Sequence, residues 1–307
     1  MQVTPTDKQI FGKEGAARIL VLGASGRLGQ LFRQRFQSRQ CELAVLKVQW
    51  QARTRVPLND ADPADVLVWD FLRDDVPNDV RADIVLCLAG AVPDRNVDLA
   101  LNSILAERAL SIGTAIKAKY IFLVSSVAVY GSGPFSETEK VAPITPYGMA
   151  KAEMEKLAAK WIANTGKDAP RVTILRVGNV AGADALLGPG KRHVALETGP
   201  DGEDIKRSYI GPARLADIVF ALCKKAADGE PLPSILNIAL SPSVSFRALL
   251  DAAGWSYSRI PAAGNMPLDV DVDTHLLEQL GFTPRENACA EDIWADIDAF
   301  MRPDETS

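Results

Sequence analysis

The segment Arg18-Ile19-Leu20-Val21-Leu22-Gly23-Ala24-Ser25-Gly26-Arg27-Leu28-Gly29 constrains this chain more than any other. Residues 18–22 read as a buried strand, glycines at every third position follow, and an amphipathic run from Leu31 to Arg39 comes next. A strand that turns through glycine into a helix brings free backbone N–H groups and a positive helix end close to an anion, above all a pyrophosphate. A dinucleotide is therefore the first ligand class to consider. Gly23, Ser25, Gly26, Arg27, Leu28 and Gly29 would line its phosphates.

Strand-like and helix-like runs alternate through the first 180 residues. The apolar patterning predicts strands over 18–22, 42–48, 65–69, 83–88, 120–125 and 171–177, and helices near 28–38, 98–118 and 147–165. Such alternation implies an α/β fold, a doubly wound parallel sheet with helices on both faces and right-handed crossovers. Ligands then sit beyond the carboxyl ends of the strands. Past residue 180, glycine, proline and charge dominate 182–206, which reads as a mobile loop or lid. Helices at 213–227, 245–253 and 290–301 and a short apolar run at 234–240 complete the pattern. The expected division is a dinucleotide-binding domain over 1–178 and a smaller substrate-binding domain over 179–307, partly threaded back onto the sheet.

A chain of 307 residues can bury a large core, and a net charge of -5 gives no reason to expect nucleic acid or an anionic membrane as partner. No apolar run is long enough to span a bilayer, and the polar first 17 residues read as a loose lead-in rather than a secretory signal. Cys41, Cys87, Cys223 and Cys289 are scattered, which suits free thiols in a reducing compartment and places the chain in the cytoplasm. With only His193 and His275 and no Cys-x-x-Cys pair, no metal site is expected.

The chemistry concentrates at Tyr147-Gly148-Met149-Ala150-Lys151, which follows Pro146. A spacing of four puts phenol and ammonium on one helix face, and Pro146 suits a helix start. Ahead of it, the strand Ile121–Val124 delivers Ser125-Ser126-Val127-Ala128-Val129-Tyr130-Gly131 to the sheet edge that also carries the glycine turn. A serine, a tyrosine and a lysine converging beside a nicotinamide suit hydride chemistry. Oxidising a secondary alcohol removes a proton from oxygen while hydride leaves carbon. A phenol near pKa 10 needs a neighbouring ammonium and the positive nicotinamide to serve as base.

Together these residues resemble the extended short-chain dehydrogenase/reductase family, in its nucleotide-sugar epimerase and dehydratase branch, over residues 18 to about 284. The resemblance implies a Rossmann-type sheet with a smaller C-terminal substrate domain. It implies Ser126 as the catalytic hydroxyl, which also touches substrate, Tyr147 as acid/base, and Lys151 as its partner, which also holds the nicotinamide ribose. Leu88, Ala89 and Gly90 resemble the loop along the cofactor, Asp70-Phe71 the pair contacting adenine, and Asn102 a family asparagine. Asn179 would face the substrate, Arg207 would grip a nucleotide diphosphate, and Leu280–Pro284 resembles the closing motif of the smaller domain.

The chain also departs from the pattern. No acid lies between Leu43 and Asn59, where one is expected for the ribose 2′-hydroxyl; Gln49, Gln51, Arg53 and Arg55 stand there instead. Arg53 and Arg27 favour NADP over NAD, which stays the alternative. Only 24 residues separate Gly182 from Arg207, and Gly211-Pro212-Ala213-Arg214 stands where the family typically has a histidine and an aspartate. Val127-Ala128 replaces the acidic pair that dehydration wants. The expected function is an NAD(P)-dependent enzyme moving hydride on a sugar-like small molecule, an epimerase or a reductase and, if oligomeric, a homodimer. An NADPH-dependent ketoreductase acting on a smaller carbonyl compound is the alternative, and so is a non-catalytic dinucleotide sensor.

Overall fold

A computed structural model gives the fold, and it describes residues 16–39, 43, 45–54, 65–93, 97–184, 186–187, 193–262, 264, 266–282 and 288–301. The elements run β1 (Ala17–Leu22), α1 (Arg27–Ser38), β2 (Leu46–Ala52), β3 (Val66–Val68), β4 (Ile84–Cys87), α2 (Leu101–Ala115), β5 (Tyr120–Ser126), α3 (Pro146–Asn164) and β6 (Arg171–Val177). They continue with β7 (Asn179–Val180), β8 (His193–Thr198), β9 (Lys206–Arg207), β10 (Tyr209–Ile210), α4 (Pro212–Ala227), β11 (Ile235–Ile238) and β12 (Val244–Ser245). The last are α5 (Phe246–Ala252), β13 (Ser256–Pro261), β14 (Asp269–Val270), α6 (His275–Gln279) and α7 (Ala290–Met301).

Seven strands form one parallel sheet in the order β11-β6-β5-β4-β1-β2-β3. The order reverses between β1 and β4, and that reversal is where a doubly wound sheet opens a ligand crevice at its carboxyl edge. β1 is apolar on both sides because both sides are covered. Ile19 and Val21 pack with Phe32 and Phe36 of α1 and with Leu215 and Val219 of α4. Leu20 and Leu22 pack with Leu105 and Ala109 of α2 and with Met154 and Ala158 of α3. A smaller third core joins Tyr209, Leu249, Trp255, Ile293 and Ile297 from the C-terminal part. That part also returns to the main sheet through β11 and α4.

The predicted helices and most strands stand close to their expected bounds. The strand expected over 42–48 instead runs 46–52, because pairing Ala17 with Leu46 sets its register and Leu43 turns back onto the Arg39 carbonyl. The stretch read as a lid, 182–206, contains β8, paired in parallel with β13. Alternation marks long buried strands, whereas two-residue strands such as β7, β9 and β10 carry no period to read. The lead-in 1–15, Cys41, Arg55 and Thr283-Pro284 lie outside the described residues. Among the described residues no helix is long and apolar enough to cross a membrane, and no cluster of His, Cys, Asp and Glu could hold a metal.

Candidate active site

The glycine turn is held shut by close backbone packing. Gly23 has φ +91°, and a Cβ there would stand 2.7 Å from the Ala89 nitrogen. At Gly29 a Cβ would run into the Gly23 carbonyl oxygen and lie 2.6 Å from the Ala24 Cα. Helix α1 begins after Gly26 with no side-chain cap and no acid in its first turn, so its first N–H groups remain open to an anion. These features fit a dinucleotide pyrophosphate. Gly29→Ala is expected to destabilise the fold by about 2 kcal/mol or more and to abolish dinucleotide binding. Urea unfolding and fluorescence titration with NADH check both effects.

Around the turn, the main-chain N–H groups of Leu88 and Ala89 donate to the Leu22 carbonyl at 3.0 and 3.1 Å, drawing the Leu88–Gly90 loop beside Gly23. Asn102 is buried and pins that loop, its Oδ1 accepting from the Ala91 N–H at 3.1 Å and its Nδ2 donating to the Ala91 carbonyl at 2.9 Å. Gln51 lies at the end of β2, and its side chain is almost wholly buried. Its Oε1 accepts from the Gly23 N–H at 3.0 Å, and its Nε2 donates to the Trp69 carbonyl. A neutral amide thus occupies the place where the missing carboxylate was sought.

The other expected cofactor contacts stand in differing surroundings. Arg27 donates through Nη1 to the Ala183 carbonyl at 3.2 Å, which engages its guanidinium in tying the glycine turn to the chain beyond β7. Arg53 is exposed just past β2. The Phe71 ring is buried in the core beside Trp69, with ring centroids 6.2 Å apart. Asp70 keeps its side chain partly exposed and accepts from the Leu72 N–H at 3.2 Å. Ser25 and Leu28 stand in the turn, Ser25 exposed and Leu28 against the core.

Sheet and helix bring the proposed catalytic side chains together. β5 ends at Ser126, whose Oγ accepts from the Ala128 N–H at 3.2 Å and so starts the tight turn Val127–Tyr130. Thr145 caps α3 by accepting from the Gly148 N–H at 3.0 Å, which fixes where Tyr147 projects. Gly148 lets that helix start lie against the turn, since a Cβ there would stand 3.1 Å from the Ala128 carbonyl carbon. The Tyr147 phenol stands beside the Ser126 hydroxyl, and Lys151 Nζ lies 5.9 Å from the centre of the Tyr147 ring. Lys151 is buried and donates to the Val124 carbonyl at 2.9 Å. A Cβ on Gly90 would stand 3.4 Å from that Nζ, so the cofactor-side loop and the lysine face each other.

Burial comes first in the electrostatics of the pair. It pushes the Tyr147 phenol above its ordinary value, and the Ser126 hydroxyl beside it opposes that only in part. Lys151 is lowered to about 8, because burial disfavours its charge more than Cys87 and Glu155 support it.

On the substrate side, Ser126 pairs in register with Val177, and Asn179 follows two residues later at the same edge. The Asn179 side chain stands near the Tyr209 hydroxyl, which donates to Asp184 Oδ2 at 2.6 Å. Arg207 is buried, donates to the Lys206 carbonyl at 2.6 Å, and lies 5.6 Å from the centre of the Phe246 ring. Among the described residues no carboxylate forms an ion pair with it. Burial lowers its pKa.

Sheet order and glycine cradle define a dinucleotide-binding α/β protein of the doubly wound type. The chain belongs to the NAD dependent epimerase/dehydratase family, whose model matches residues 19–195. No curated protein sequence matches it. Among solved structures it is similar to TunA, an NAD-dependent NDP-hexosamine 5,6-dehydratase of tunicamycin biosynthesis, with TM-score 0.71 and 19% identity over 94% of this chain and 99% of that one. It is also similar to MoeE5 in complex with UDP-glucuronic acid and NAD, with TM-score 0.72 and 18% identity over 94% and 99%. A third is the UDP-N-acetylglucosamine 4-epimerase of Methanobrevibacter ruminantium M1, with TM-score 0.71 and 16% identity over 95% and 100%. At such identities the likeness is one of fold.

Proposed function

We propose that this protein is an NAD(P)-dependent oxidoreductase acting on a secondary alcohol or ketone of a nucleotide sugar, with epimerisation as its net reaction. The observation that carries this is the Ser126 hydroxyl beside the Tyr147 phenol, with Lys151 buried behind them next to the glycine cradle. When bound, a nicotinamide dinucleotide supplies the hydride acceptor and donor. Ser126 holds the substrate oxygen. Tyr147 takes the hydroxyl proton on oxidation and returns it on reduction, and the Lys151 ammonium favours the phenolate between the two. Arg207, a buried cation in no ion pair among the described residues, suits a diphosphate, and Asn179 supports the same side. The family and the nucleotide sugars named for its structural neighbours support this substrate class.

Dehydration is disfavoured by the apolar Val127, buried where an acid is wanted. The test is incubation with UDP-hexoses and catalytic NAD+ or NADP+, followed by chromatography of the sugar products. An epimer formed without net change in nicotinamide absorbance supports the reading. Net cofactor reduction or oxidation would favour the reductase, and turnover of neither kind with intact dinucleotide binding would favour a sensor.

Neutral Gln51 neither demands the 2′-hydroxyl nor repels a 2′-phosphate, so cofactor choice falls to Arg53. Arg53→Ala is expected to weaken NADPH about tenfold and NADH less than twofold, read by fluorescence titration. Equal losses would remove Arg53 from the cofactor site.

A further inference from the structure

Tyr147, Lys151 and Glu155 lie four residues apart along α3, on one face of the helix. Glu155 is buried although charged, and its partners come from two different strands. Its Oε1 accepts from Ser125 Oγ at 2.6 Å, at the end of β5 beside the catalytic serine. Arg176 of β6 donates to the same carboxylate through Nε at 3.1 Å to Oε1 and through Nη2 at 2.6 Å to Oε2. Arg176 in turn lies 4.8 Å from the centre of the Tyr130 ring. A buried charge pair costs more in desolvation than a packed apolar pair, so its place beneath an active site calls for a reason other than stability.

We propose that Glu155 is a positioning residue that fixes the Ser125-Ser126 strand end and keeps Lys151 protonated, so that the ammonium faces the Tyr147 phenol during turnover. This rests on the catalytic reading of Tyr147 and Lys151 given above. The groups around Lys151 single out Glu155. From β5 comes the Val124 carbonyl, and from the loop after β4 comes Gly90, with Asn102 of α2 beyond it. From β4 comes Cys87, which burial pushes up to about 11, so that it stays a neutral thiol. From α3 itself come Tyr147 and Glu155. Arg176 of β6 stands behind Glu155 and carries the opposite charge. With Cys87 a neutral thiol near pH 7, Glu155 is the anion among the described residues that supports the ammonium there.

The test uses Glu155→Gln, together with a double variant, Glu155→Leu with Arg176→Met, that removes both charges and avoids a stranded buried cation. The readout is Lys151 titration by ε-nitrogen NMR on isotopically labelled lysine, assigned with Lys151→Met and recorded without substrate. The Lys151 pKa is expected to fall by about one unit or more in the double variant, and in Glu155→Gln if that chain folds. The alkaline limb of the turnover pH profile should move down by the same amount. A folded double variant with Lys151 titration as in the wild type overturns the proposal and leaves the ion pair as a brace between α3 and β6. Failure of the catalytic reading would show separately, as Tyr147→Phe that still turns over.

Discussion

Tyr147→Phe is expected to lower turnover about 10³-fold while changing dinucleotide affinity less than about twofold. The fold has little at stake in the hydroxyl, because Ser126, the group beside it, keeps its own bond from the Ala128 N–H. The ring remains to pack beneath Lys151. What is lost is the atom that exchanges a proton with the substrate oxygen. Since burial raises this phenol, oxidation of an alcohol should quicken as pH rises toward its titration, and reduction should quicken as pH falls. Product analysis across pH, with fluorescence titration of NADH and NADPH on the same preparation, measures both. Turnover at the wild-type level in Tyr147→Phe would remove the phenol from the chemistry.

Much of this site was legible because its signals are local. The glycine spacing needs no tertiary knowledge, since a Cβ at Gly23 or Gly29 collides within the turn or with the adjacent loop. Tyr147 and Lys151 share a helix face by spacing alone, and β5 is apolar enough to announce where it delivers Ser126. The unreadable parts depend on long-range partners. Arg27 stands in the glycine turn by sequence, but that its guanidinium also reaches the Ala183 carbonyl is a contact that spacing cannot foretell. Asp70-Phe71 reads from sequence as one pair, and only the folded chain shows that the Phe71 ring joins Leu20 and Leu22 of β1 in the core.

Gln51 and Glu155 show the same limit from the other side. Gln51 stood within the stretch searched for an acid, but only the folded chain shows its amide bound to the Gly23 N–H. The one sequence clue to Glu155 is its spacing of four from Lys151. Its burial becomes visible only when Ser125 and Arg176 are brought to it by β5 and β6. In each case a polar side chain is placed by the sheet rather than by its neighbours in sequence.

Lys151→Met should inactivate the enzyme and make it more stable, a combination that separates a functional lysine from a structural one. Lys151 is 3% exposed, and burial lowers it from 10.5 to about 8. Below pH about 8 both folded and unfolded chains carry the ammonium, so the folded state bears the full cost of burying it. Between about 8 and 10.5 the unfolded state binds more protons, and wild-type stability therefore rises with pH through that window. At about 1.4 kcal/mol per unit, less about 1 kcal/mol for the bond to the Val124 carbonyl, the methionine variant gains about 2 kcal/mol near pH 7. The gain should shrink steadily as pH climbs toward 10.5, where both states lose the charge. Urea unfolding of the two proteins at several pH values measures it. A variant less stable than wild type near neutral pH would mean that the ammonium stabilises the fold, and the assignment of Lys151 to catalysis would lose its physical basis.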